Sequence, residues 1–111
     1  MDQRLEVRVA AISQETERVR RFELVSAAEP LLPAFTAGSH IDIYLASNLT
    51  RSYSLLNSQD ERDRYVIGVA LETESRGGSR FLFDNVRVGD RLQVSKPRNL
   101  FTLDEIGRAH V

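Results

Sequence analysis

Ser58-Gln59-Asp60-Glu61-Arg62-Asp63-Arg64-Tyr65-Val66-Ile67-Gly68-Val69-Ala70-Leu71 is the stretch that decides the fold class. Its first seven residues are almost wholly polar and read as an exposed hairpin loop. Its second half sets Tyr65, Ile67, Val69 and Leu71 at period two, which is the pattern of a strand and not of a helix. The same period recurs in both directions. Upstream, Tyr53 and Leu55 mark one strand, and Ile41, Ile43 and Leu45 mark another, with Ser47-Asn48 as the turn between them. Before these, Pro30 and Pro33 break the chain into an irregular segment over 27–38. Val19, Phe22 and Leu24 mark the second strand from the N-terminus. Leu5, Val7 and Val9, alternating with Glu6, Arg8 and Ala10, mark the first, and the charged cluster from Glu15 to Arg18 reads as the turn that joins the two.

Downstream of Leu71 a polar loop ends in Gly77-Gly78. The apolar residues at 81, 82, 83 and 86 then fit a short helix over 80–86 with Ser79 as its N-cap. Gly89-Asp90 turns the chain into a last strand at Leu92 and Val94, which Pro97 stops, and Thr102-Leu103-Asp104-Glu105 has the form of a capping box. Six short strands, polar turns and one helix define an all-β domain. At this length the expected architecture is a six-stranded antiparallel Greek-key barrel with one short capping helix, with a small sandwich as the second reading; the barrel leaves no edge to protect.

Composition narrows the function. The chain has 111 residues, 41% apolar and 28% charged, which suits one soluble globular domain with a real core. Fifteen basic and sixteen acidic residues give a net charge of −1 with no one-signed block, so no nucleic-acid partner held by phosphate neutralisation is expected. There is no Cys, which excludes thiolate catalysis and Cys-ligated metal within these residues. No apolar run resembles a signal peptide or a membrane span, so the expected location is the cytoplasm, with no membrane partner. His40 and His110 lack partners at metal-ligand spacing, and no metal site is expected. Fourteen of the fifteen basic residues are Arg. A GC-rich genome explains that bias, and so does two-point binding of phosphate or carboxylate.

Two motifs carry chemistry. In Arg51-Ser52-Tyr53-Ser54-Leu55, Arg51 and Tyr53 are two apart and project from one face of a strand. A guanidinium and an aromatic ring there can hold an anion while stacking on a planar group; a solvated Arg beside a half-buried Tyr is the plain alternative. Arg76-Gly77-Gly78-Ser79-Arg80 precedes the helix, where a close backbone approach and the free N–H groups of a helix start suit an anion; a flexible loop with an N-cap is the plain alternative. Taken together, the motifs suit a phosphorylated planar heterocycle.

The runs Arg51-Ser-Tyr-Ser-Leu-Leu-Asn57, Arg64-Tyr-Val-Ile-Gly-Val-Ala70, Ser75-Arg-Gly-Gly-Ser79 and Ser95-Lys-Pro-Arg-Asn-Leu-Phe101 resemble the flavin domain of phthalate dioxygenase reductase and vanillate O-demethylase reductase, members of the ferredoxin–NADP reductase superfamily. The close match covers about half the chain. The resemblance implies an oxidoreductase: a flavin domain of an oxygenase reductase component, carrying electrons from NAD(P)H through FMN to a 2Fe–2S centre, with FAD as the alternative flavin. By position, Arg51 would hold the FMN phosphate, and Ser52 would lie among the cofactor-binding residues. Tyr53 would lie against the isoalloxazine ring, and Ser54 would hydrogen-bond near its N5 as the catalytic residue. Gly68, Val69 and Ala70 would line another edge with main-chain groups, and Gly77, Gly78 and Ser79 would complete the phosphate cradle. Ala70 departs from the family, which often has a basic residue there. Strict alternation sends Ser54 to the face opposite Tyr53, so both can touch one flavin only if the ring lies along the strand's edge.

By the same resemblance, residues 1–103 would be the flavin barrel and 104–111 the start of a linker to an NAD-binding domain. The partner would be a terminal oxygenase reached through a ferredoxin domain outside this chain. NADH and the 2Fe–2S cluster would belong to the full-length protein, and these 111 residues alone would be inactive with NADH. A cofactor-free β-barrel interaction module is the rival reading from another class.

Overall fold

A computed structural model of the chain describes residues 4–45, 49–71 and 78–98. Six strands and one helix run in the order β1 (Leu5–Thr16), β2 (Val19–Ser26), β3 (His40–Tyr44), β4 (Thr50–Ser54), β5 (Tyr65–Ala70), α1 (Gly78–Asn85) and β6 (Arg91–Val94). All strand pairs are antiparallel, and the sheet order is β4-β3-β6-β1-β2-β5. The sheet curls until its two outer strands meet at one bridge, Leu55 with Ile67, so the six strands form a half-barrel closed at a single point. The segment 58–64 therefore connects two strands without the continuous ladder of a hairpin.

The period-two residues line the inside. Val7, Val9, Phe22, Leu24, Ile41, Ile43, Tyr65, Ile67, Val69 and Val94 are fully buried in one core. Burying a large aliphatic or aromatic side chain stabilises by about 1.5–3 kcal/mol, so this lining accounts for most of the drive to curl.

Two β-bulges make β1 longer than its alternation suggests. Val9 pairs with Leu24 and Ala11 with Glu23, which leaves Ala10 as the extra residue; Gln14 pairs with Arg20 and Thr16 with Val19, which leaves Glu15 extra. Each extra residue reverses the phase of the residues after it. Ile12 thus joins Phe22 on the core side, and the strand runs on through Thr16. The turn expected over 15–18 shrinks to Glu17 and Arg18. Val19, beyond the second bulge, pairs with the exposed Ala70 and lies off the core face of its strand.

The two ends of the half-barrel are stopped differently. At the start of β5 the irregular segment folds under the sheet, burying Leu32 and Phe35. The Phe35 ring meets Tyr65 edge-on at 5.6 Å, and the Tyr65 hydroxyl donates to the Pro33 carbonyl at 2.6 Å. Burial pushes the Tyr65 phenol pKa up from its ordinary value, so it stays a donor. At the other end α1 inserts Leu82 fully, with Phe81 and Phe83 packed partly against the core. Arg20 ties this helix down: its Nη1 donates to the Phe83 carbonyl at 2.8 Å, its Nε donates to Gln14 Oε1 at 2.7 Å, and its guanidinium lies 4.4 Å from the centre of the Phe83 ring. The helix begins at Gly78, so Ser79 falls in its first turn and is not the N-cap. Gly89 (φ 99°) makes the turn into β6, a conformation that costs a non-glycine residue about 1–2 kcal/mol. Ser47-Asn48 and the 102–105 capping box lie outside the described residues.

The hydroxyl of Tyr65 holds the irregular segment to the barrel. Tyr65→Phe leaves the Pro33 carbonyl without that donor and is expected to lower stability by about 1–3 kcal/mol, measured as a shift in urea midpoint at unchanged m-value.

Candidate functional site

The expected site residues of β4 and β5 flank the edge where the ladder between these two strands stops. Leu55 donates its N–H to the Ser39 carbonyl on the β3 side, and Leu56 donates to the Val66 carbonyl across the closing bridge. Main-chain direction alternates along a strand, so Arg51, Tyr53 and Leu55 bond towards β3, while Ser52 and Ser54 turn theirs to the open edge. On the other side, Leu71 donates to the Arg18 carbonyl next to β2, and Val66 turns towards Leu56. Gly68 and Ala70 therefore point to the same open edge, and Val69 points to β2. Were the ladder to continue beyond the bridge, Ser54 with Gly68 and Ser52 with Ala70 would be the next two pairs. Among the described residues no bridge is formed at either pair, and the ladder between β4 and β5 stops there, leaving a seam.

The seam unites two groups of expected site residues that are 14 or more positions apart in sequence, Arg51 to Ser54 and Gly68 to Ala70. Arg51 and Tyr53 share one face of β4, the face of their partners Ile43 and Ile41, and both are half-buried. Arg51 Nη1 donates to the Thr50 carbonyl at 2.8 Å, which carries its guanidinium over the open edge. Tyr53 packs against the core cluster. Ser52 and Ser54 are exposed on the opposite face. Val69 buries its side chain completely, so it offers the seam nothing but main chain, and that main chain faces β2. Helix α1 packs on β5, and Gly78 and Ser79 lie in its first turn. Gly77 lies outside the described residues.

A polar cluster behind β4 has no counterpart in the sequence pattern. Asp42, opposite Ser52 on β3, accepts from the Ser52 hydroxyl and from Arg98 Nη2, which lies 2.7 and 2.6 Å from its two carboxylate oxygens. These residues lie ten and 56 positions from Asp42, and only the strand register brings them together.

Two surface cavities lie elsewhere. One, of about 470 Å³, opens on the outer face of β2 and β5 beside Leu56, Asn57, Glu61 and Arg64. The other, of about 410 Å³, lies between Tyr44, Phe81 and Gln93. Neither is lined by Arg51 or Tyr53. In the first, Arg64 bridges Glu23 at 2.8 Å and Glu61 at 3.0 Å. Its hydrogen bond to Glu61 holds that carboxyl below its usual 4.5 and raises the guanidinium in turn.

No family model matches the chain. Over 99 residues the chain is 50% identical to the vanillate O-demethylase oxidoreductase of Acinetobacter baylyi, covering 89% of this chain and 31% of that protein. Its fold superposes on phthalate dioxygenase reductase, described as a modular structure for electron transfer from pyridine nucleotides to 2Fe–2S, with TM-score 0.84 and 36% identity, over 92% of this chain and 32% of that one. It also superposes on the FAD/NAD-binding domain of the nitric oxide dioxygenase of Vibrio cholerae, with TM-score 0.78 and 27% identity, over 91% of this chain and 46% of that one. The chain spans about a third of the length of the curated relatives it matches.

The Glu61–Arg64 contact has a definite pH signature. A carboxyl with a lowered folded pKa adds stability above its unfolded value, and that stability is lost as pH falls through the folded one. The difference in urea midpoint between wild type and Arg64→Met is expected to be full above pH 4.5 and to shrink on acidification. A difference independent of pH would mean that the ion pair contributes nothing.

Proposed function

We propose that the chain is a flavin domain of the oxygenase reductases of the ferredoxin reductase superfamily, that the β4–β5 seam binds FMN and that the whole protein passes electrons from NAD(P)H to an iron–sulfur centre serving a terminal oxygenase. The observation that carries the flavin reading is the unzipped seam. An isoalloxazine presents hydrogen-bond donors and acceptors along one edge of a planar ring, which is what two strand edges beyond the end of their ladder lack. The Ser54 N–H, the Gly68 carbonyl and the main chain of Ser52 and Ala70 supply partners at the strand edge. A ring held at that edge meets groups from both faces of β4, so Tyr53 and Ser54 no longer compete for it.

Each remaining residue has a distinct task in this reading. Tyr53 offers an aromatic plane beside the seam, fixed by its packing on the core. Arg51 provides a two-point cation for the phosphate. Gly78 and Ser79, in the first turn of α1, offer main-chain N–H groups to the same anion, and Gly77, just before them in sequence, completes the set. Ser54 lies closest to the bridge, where the strands still approach, and its N–H is placed to hydrogen-bond near the ring's N5. Val69 acts through the core, by keeping the β5 edge flat under the seam. When bound, the flavin supplies the chemistry by accepting a hydride as an electron pair and releasing electrons singly. The protein binds, orients and shields it. Gly68 leaves room for the Leu56 side chain: a Cβ there would sit 3.1 Å from Leu56 Cδ1.

FAD is the second reading, favoured by the likeness to the Vibrio domain. Release of the bound flavin by heat, followed by chromatography against FMN and FAD standards, separates the two.

Arg51→Ala tests the site itself. A charge-assisted hydrogen bond contributes about 1.5–3 kcal/mol, so FMN affinity is expected to fall about 10- to 150-fold, read by quenching of flavin fluorescence. Riboflavin, which has no phosphate, should bind the variant and the wild type alike. An equal loss for both ligands would make Arg51 a structural residue.

A further inference from the structure

We propose that Asp42 is a positioning residue for the phosphate-binding strand: from the outer face of β3 it holds the Ser52 hydroxyl and the Arg98 guanidinium, and so fixes the rotation of β4 that carries Arg51 over the seam. The proposal rests on the flavin reading above. Its geometry is independent of that reading.

β4 is an edge strand, bonded to β3 alone except at the closing bridge. Its twist about that one ladder decides where Arg51 and Tyr53 point. Asp42 and Ser52 are directly opposite each other, at a position where the main chain of Asp42 bonds away from β4: its carbonyl accepts from Ser95 N–H, and its N–H donates to Ser95 Oγ, each at 2.9 Å. At such a position facing side chains come closest, and the Ser52 hydroxyl donates to Asp42 Oδ1. The same carboxylate takes Arg98 Nη2 on both oxygens, while His40 and Arg98 exchange main-chain bonds at 2.9 and 3.0 Å next to it. The Asp42 side chain is only 14% exposed against 55% for Arg98. It is a largely buried anion with one cation on it, and a contact of this kind resists rotation more than a surface pair does.

Ligand binding is affected in two ways. A serine hydroxyl has one proton, and Ser52 gives it to Asp42, so this hydroxyl is not a donor to phosphate. Ser52 then serves the cofactor through its main chain, and its side chain serves the strand. The Asp42 carboxylate also occupies the Arg98 guanidinium, which is then less available to an anion at the outer face of β4.

The test is the phosphate preference, defined as the ratio of riboflavin to FMN dissociation constants, in wild type, Asp42→Ala, Asp42→Asn, Ser52→Ala and the Asp42→Ala/Ser52→Ala double variant. General loosening weakens both ligands and leaves the ratio alone; misaimed Arg51 lowers the ratio. Asp42→Ala is expected to lower it about 3- to 10-fold, Ser52→Ala about 2- to 3-fold, and the double variant no further than Asp42→Ala. Asp42→Asn, which keeps an acceptor for Ser52, should retain most of it. An unchanged ratio in Asp42→Ala overturns the proposal, as does a further drop in the double variant, which would make the Ser52 hydroxyl a phosphate ligand. Should Asp42→Ala fail to fold by circular dichroism, an unchanged ratio in Ser52→Ala overturns it equally. A wild type that binds no flavin refutes the flavin reading and this proposal with it, whereas one that binds flavin without phosphate preference overturns this proposal alone.

Discussion

A sheet of six strands must either close on itself or leave two rows of main-chain N–H and C=O groups open, and this one closes at a single bridge. The rest of the structure is organised by that incomplete closure. The apolar lining bends the sheet until Leu55 and Ile67 meet, and helix α1 and the 27–38 segment stop the two ends. The remaining gap is bordered by the main chain of β4 on one side and of β5 on the other. Such a gap is costly to leave unfilled and specific in what it accepts, because its donors and acceptors sit on rigid strands.

The architecture is legible in the sequence where burial on one face imposes a strict period, as at Tyr65, Ile67 and Val69. It is not legible where local geometry changes the phase. Ala10 and Glu15 carry no mark of the bulges they occupy, since an extra residue is defined by its partner strand and not by its own side chain. The end of β1 escapes the sequence pattern for this reason, and Val19 groups by pattern with the core residues Phe22 and Leu24 although it pairs outward with Ala70. The 58–64 loop reads correctly as polar and exposed, yet its flanking strands share one bridge and no hairpin ladder.

The site shows the same division. Arg51 and Tyr53 fall on one face by spacing alone, because two positions of one strand need no tertiary information. Their relation to Gly68 and Ala70 depends on which strands become neighbours after the sheet curls, and the contact of Asp42 with Ser52 and Arg98 depends on two registers at once. Chemistry that lives within a strand can be read from a chain; chemistry that lives between strands needs the fold.

The bulge at Ala10 has a consequence for how this domain can vary by insertion and deletion. Removing one residue from a regular core strand turns every later side chain from the core to solvent. Here the strand already contains a residue that no partner requires, so losing Ala10 would close the bulge while Val9 stayed opposite Leu24 and Ala11 opposite Glu23. Ile12 would keep its place opposite Phe22, on the core side. The barrel thus has, in its longest strand, two points, at Ala10 and Glu15, where chain length and core phase are decoupled, and length changes away from these bulges lack that release.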